Sequence, residues 1–86
     1  MAQVVLCDDH ELMTEGQRRI LERLGHTVVA VFRNGRDLVG YVKTHAVDLA
    51  ILDIHLGENE QDGITLGQQI NDKFSVPFFY LTAYDN

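Results

Sequence analysis

Two periodicities alternate along this chain. Val4-Val5-Leu6-Cys7 is a continuous apolar run that ends in Asp8-Asp9, the pattern of a short strand buried on both faces. From about His10 to Leu24, Met13, Gly16, Ile20, Leu21 and Leu24 recur at helical spacing, with Glu11 in the first turn and Gly25 just past the last. Thr27 to Phe32 is β-branched and apolar, a second strand. Asn34-Gly35 supplies a turn or an N-cap for a helix running to about His45, with Leu38, Val39 and Val42 inward. Leu49-Ala50-Ile51-Leu52 is a third buried strand, closed by Asp53, and the polar residues from His55 to Gln61 read as a loop. A third helix is expected from about Asp62 to Phe74, with Ile64, Gly67, Ile70 and Phe74 on one face. Pro77 opens a fourth strand through Leu81, where proline is tolerated, and Thr82 follows it. The order is βαβαβαβ. Helical crossovers of this length make the strands parallel, with helices on both faces of an α/β sheet.

Composition narrows the class. Eighty-six residues make one small domain, and 45% hydrophobic with 23% charged residues is ordinary for a globular fold. No apolar run approaches the roughly 18–20 residues of a membrane-spanning helix, and no basic-then-apolar leader opens the chain. The single cysteine, Cys7, cannot form an internal disulfide, so a cytoplasmic address is expected and a disulfide-stapled scaffold is excluded. Seven basic against thirteen acidic residues give a net charge of −6, which argues against direct contact of this segment with nucleic acid. Arg18, Arg19 and Arg23 with Glu15 and Glu22 read as a solvated helix face, and Glu58, Glu60 and Asp62 as loop solvation.

The chemistry gathers at strand ends. Asp8-Asp9, Asp53 and Thr82 each follow an apolar strand at its carboxyl end, and in an open parallel sheet those ends share one edge. Taken singly, an aspartate there is more often a helix cap. If the chain reverses between the first and third strands, however, the acid pair and Asp53 become neighbours. Three such carboxylates repel one another, and hard oxygen donors in an incomplete cage suit Mg²⁺ with room left for a phosphate. The four histidines show no i,i+2 or i,i+4 pairing, which argues against zinc, and His10 reads as a residue of the first βα loop. Cys7 reads as a buried core thiol.

Together, Val4-Val5-Leu6-Cys7-Asp8-Asp9-His10, Leu49-Ala50-Ile51-Leu52-Asp53-Ile54, Asp62-Gly63 and Phe79-Tyr80-Leu81-Thr82-Ala83 resemble the receiver domain of two-component response regulators. The resemblance covers essentially the whole chain. It implies a flavodoxin-like doubly wound sheet in strand order 2-1-3-4, a single receiver domain over residues 1–86. Against the family pattern the fifth strand and last two helices are missing at the C-terminus, and with them a phosphate-pairing lysine. It further implies Asp53 as phosphoacceptor, Asp9 as a direct Mg²⁺ ligand, Asp8 as a ligand largely through water, and His55 as a ligand through its backbone carbonyl. Thr82 would contact the phosphoryl group, Ala83 would leave it accessible, and His55 and Tyr84 would adjust its lifetime. The implied partner is a sensor histidine kinase or a histidine phosphotransfer protein; the domain itself is not an enzyme.

The chain departs from that pattern at Gly57, where the family usually has proline, and its loop over residues 57–63 is about two residues longer than usual. Two alternatives stand beside the leading one. A phosphorylation-incompetent interaction fragment would keep the fold and the metal site. A haloacid-dehalogenase-like phosphohydrolase would require Asp-x-Asp, where this chain has Asp53-Ile54-His55. Finally, Val76 to Leu81 carries no charge, and such an edge is expected to pair two chains into a homodimer.

Overall fold

The computed structural model describes residues 2–54 and 60–81. Four strands and three helices alternate: β1 (Gln3–Cys7), α1 (Glu11–Arg23), β2 (Thr27–Phe32), α2 (Gly35–Val42), β3 (Leu49–Asp53), α3 (Glu60–Phe74) and β4 (Phe78–Leu81). All neighbouring strands are parallel, in the order β2-β1-β3-β4. The strand order therefore reverses between β1 and β3, as the family resemblance implied. Register places Cys7 against both Phe32 and Leu52, and Asp53 against Leu81.

Strand alternation divides the core into two layers. Val5, Cys7, Ala50 and Leu52 point to one face, where Leu38 and Val42 of α2 and Leu66 and Ile70 of α3 cover them. Val4, Leu6, Val28 and Ile51 point to the other, where Leu21 of α1 packs. Side chains such as Leu6, Leu52 and Ile70, fully removed from water, each stabilise the fold by roughly 1.5–3 kcal/mol. A register shift in the β1–β2 pair leaves Val29 without a partner on β1, so that Val29 and Ala30 both belong to the α2–α3 layer. Nothing in the Thr27–Phe32 pattern announced that bulge.

Helix ends follow local chemistry. Asn34 caps α2, its Oδ1 accepting from the Asp37 N–H at 2.9 Å. The helix closes at Val42 rather than near His45, because the Thr44 N–H bonds the Tyr41 carbonyl three residues back and the i→i−4 ladder breaks there. Gly25, with φ of 93°, ends α1 as expected. At the end of α3, Ser75 takes a left-handed φ of 56° and donates to the Asn71 carbonyl at 2.9 Å.

One expectation for α1 fails. Met13, Ile20 and Leu24 are exposed, whereas Thr14 is buried and Leu21 half-buried. The inward stripe runs through 14, 17 and 21, about one residue around the helix from the one the apolar spacing suggested. The cause is that α1 lies against β2, on a layer that offers only four buried side chains among the described residues.

Candidate functional site

At the carboxyl ends of β1 and β3, the chain leaves two buried carboxylates side by side. Asp8 follows β1 and is 6% exposed; Asp53 is the last residue of β3 and is 5% exposed. Asp9 lies further out, its side chain 44% exposed. Neither member of the acid pair caps α1. The N-cap is His10, and it makes no side-chain capping bond. Asp8 instead folds the turn, its Oδ1 accepting from the His10 backbone N–H at 2.8 Å.

That turn brings an imidazole into the acidic cluster. His10 Nδ1 stands 2.9 Å from Asp8 Oδ1, 3.0 Å from Asp9 Oδ1 and 3.6 Å from Asp53 Oδ2. Hydrogen bonding to Asp8, then the negative charges of Asp9 and Asp8, raise the pKa of His10 above the usual histidine value. From the sequence His10 reads as a residue of the first βα loop; its adjacency to the acid pair is the signal for its place here. Of the other described histidines, His26 accepts the Ala2 N–H at 3.2 Å and His45 stacks on Tyr41, so neither belongs to the cluster.

Beneath the carboxylates lies the Cys7 thiol, fully buried, with Sγ 3.5 Å from the Asn34 carbonyl. Burial, reinforced by Asp8, Asp53 and Asp9, pushes its pKa up to about 12. The thiol is a core group, as expected. The start of α3 closes the other side of the site. A Cβ on Gly63 would fall 2.6 Å from the carbonyl oxygens of Asp53 and Ile54, so only glycine lets the helix approach this strand end.

One ligand atom from each of Asp8, Asp9, His10 and Asp53 can be chosen so that all four lie within 4.8 Å of one another. Oxygen-rich and open to solvent on the Asp9 side, this donor set fits a divalent cation. His55, Thr82, Ala83 and Tyr84 lie outside the described residues.

The response regulator receiver domain family model matches residues 4–86. The chain belongs to that family. Response regulator UvrY of Escherichia coli (strain K12) is 44% identical over 57 residues, 65% of this chain and 26% of UvrY. The probable C4-dicarboxylate response regulator DctR of Priestia megaterium is 38% identical over 68 residues, 78% of this chain and 29% of DctR. The matched segment spans less than a third of either relative. Among solved structures, the signal receiver domain of a modulated diguanylate cyclase from Desulfovibrio desulfuricans G20 superposes with a TM-score of 0.88 at 28% identity. It covers all of this chain and 68% of that one. RcsB from Salmonella enterica serovar Typhimurium, bound to promoter rprA in the presence of phosphomimetic BeF3⁻, superposes at 0.85 with 28% identity, over all of this chain and 72% of that one. A receiver domain is a signalling module rather than a catalytic enzyme, and it implies a partner kinase. In that setting the cluster of Asp8, Asp9 and Asp53 is typical of a phosphoacceptor site. No described helix is long and apolar enough to cross a membrane.

Proposed function

We propose that this receiver domain accepts a phosphoryl group on Asp53 from the phosphohistidine of a sensor kinase or a phosphotransfer protein. The observation that carries this is the burial of Asp53 at the end of β3 beside Asp8 and Asp9. Its carboxylate is held in a fixed place yet borders an open, cation-compatible cluster. An Asp53 oxygen attacks phosphorus, an acyl-phosphate O–P bond forms, and the P–N bond of the donor breaks, with the leaving imidazole taking up a proton. Asp8, Asp9, Asp53 and the backbone carbonyl of His55 would hold Mg²⁺, which when bound neutralises charge on the attacking and phosphoryl oxygens. Thr82 is assigned to contact the phosphoryl group, Ala83 to leave it accessible, and His55 and Tyr84 to govern its lifetime. The domain is placed in the cytoplasm with its kinase.

We also propose that β4 pairs two chains. It forms an edge of the described sheet, and Phe79 on it is 61% exposed. An uncharged edge of this kind recruits a second strand, and a symmetric dimer satisfies both copies.

The test is incubation with Mg²⁺ and a small phosphodonor, followed by intact mass. A gain of one phosphoryl group, labile to hydroxylamine and absent in Asp53→Asn, supports the assignment. Turnover of the donor without adduct would point to hydrolysis. Neither adduct nor turnover, with Mg²⁺ binding intact, would leave an interaction module that keeps the metal site.

A further inference from the structure

On the side of the sheet that carries two helices, α2 and α3 touch but leave a cleft of about 760 Å³ between them. Its floor is apolar, formed by half-buried Val39 and buried Leu66, and Arg36, Gly40 and Lys43 line the α2 side opposite Gln69 of α3. Arg36 and Lys43 are seven residues apart, close to two full turns, so they share one stripe of the helix about 10 Å apart, with Gly40 between them. Arg33 adds a third cation at the end of β2, where the register of β1 also brings Asp9 to the cleft. Among the described residues none of these three cations has an ion-pair partner. Asp37, the one acid of this stretch, is held by the Asn34 amide at 3.2 Å. The charge runs against the trend of the chain: residues 33–43 hold three basic side chains and one acid, the remainder four and twelve.

Gly40 points the same way on separate grounds. Glycine is a poor helix former, and a Cβ at Gly40 would meet nothing within 4 Å, so no packing contact demands it. Its effect is on the cleft, where the missing side chain lets an occupant reach the floor between the two cations. We propose that the α2–α3 cleft docks an acidic peptide segment of a partner protein, with an apolar residue on Val39 and Leu66 and carboxylates paired to Arg36 and Lys43. Charge complementarity selects the carboxylates, and the spacing of the cations selects a peptide. An extended chain places residues i and i+3 about 10 Å apart, which matches Arg36 and Lys43. A phosphate group would call for cations converging on one point, whereas these are spread along a helix. Asp9 repels anions from the Arg33 end and so keeps the acids of the peptide on the Arg36–Lys43 stretch. This docking is separate from phosphoryl transfer at Asp53 and does not rest on it.

Titration of the 86-residue chain with the end-blocked peptide Glu-Leu-Leu-Glu, followed by ¹⁵N-resolved NMR, tests this, with Gln-Leu-Leu-Gln and tripolyphosphate as comparison probes. The acidic peptide is expected to shift the amides of residues 35–43 and 65–69, and to bind about tenfold more tightly than Gln-Leu-Leu-Gln. The double variant Arg36→Gln, Lys43→Gln should lose about tenfold in affinity for it. Gly40→Leu fills the cleft without altering charge and should lose at least as much. Urea unfolding checks that both variants fold, and Gly40→Leu should be at least as stable as its parent because leucine is the better helix former. Equal binding of the two peptides, shifts centred elsewhere, no shifts at millimolar peptide, or affinity indifferent to both variants would overturn the proposal. So would tripolyphosphate displacing the peptide at the same amides at lower concentration, which would make this a site for inorganic anions. Dilution of the chain alone shifting those amides would give the cleft to a second copy and overturn it equally.

Discussion

Replacing Gly63 by alanine adds one methyl group where α3 meets the end of β3, and the sign of its effect follows from what that methyl would touch. The new Cβ would lie 2.6 Å from the carbonyl oxygens of Asp53 and Ile54 and 2.9 Å from the Ile54 carbonyl carbon. Ordinary contact begins near 3.4 Å, so helix and strand end must part by close to an ångström. The crowded atoms are backbone, which has no rotamer through which to escape. Overpacking of this kind costs about 1–3 kcal/mol, against which alanine's better helix propensity returns at most about 1 kcal/mol. The expected net loss is about 1–2 kcal/mol or slightly more. A domain of this length has a total stability of only about 4–13 kcal/mol, so the change should move the melting midpoint by about 4–8 °C for each kcal/mol lost. Gly16 in α1 is the control, because a Cβ there meets nothing within 4 Å. Gly16→Ala should stabilise by up to about 1 kcal/mol. Urea unfolding followed by circular dichroism reads both variants, and Mg²⁺ titration should show weaker binding for Gly63→Ala alone, since the displaced atoms belong to Asp53. A Gly63→Ala chain as stable as its parent, or with unchanged Mg²⁺ binding, would refute the idea that this contact shapes the site.

Other expectations are simpler to check. With the Cys7 pKa raised from 9.0 to about 12, the unfolded chain releases the thiol proton first as pH climbs. Stability should therefore fall between about pH 9 and 12, by up to roughly 4 kcal/mol in all, and alkaline denaturation of Cys7→Ala should show a shallower slope. Asn34→Ala removes the cap on α2 and should cost about 1 kcal/mol in urea unfolding without changing the m-value. Phe79→Lys places a charge on the exposed β4 edge; sedimentation at micromolar concentration should show a dimer for the parent and a shift towards monomer for the variant.

Much of this architecture was legible because two signals agreed. Apolar, β-branched runs marked all four strands, and the acids after Cys7 and Leu52 marked the shared edge where Asp8, Asp9 and Asp53 converge. Periodicity fared worse wherever packing was one-sided. The apolar spacing of α1 predicted inward Met13, Ile20 and Leu24, but a helix resting on β2 turns to the narrower stripe the sheet offers. Leu66 of α3 is buried in the larger layer but lies beside the stripe of Ile64, Gly67, Ile70 and Phe74 that the spacing suggests. His10 reads from the sequence as a loop residue only, for a different reason. Spacing rules look for histidine paired with histidine, whereas here a single imidazole is folded back on the aspartates beside it by an Asp8 turn.

The unequal covering of the sheet bears on the order in which the molecule breathes. β1 and β3 are hydrogen-bonded on both sides and sandwiched between layers, so their amides should exchange with solvent only when the whole domain opens. Among the described residues α1 rests on the sheet through Leu21 and its contact with β2, and Thr14 is its buried residue, so its amides should exchange before those of β1 and β3. Yet the aspartates of the site are fixed by β1 and β3 and by the turn at Asp8, not by the body of that helix. A local opening of the body of α1 would therefore leave the strand ends that carry the acidic cluster in place.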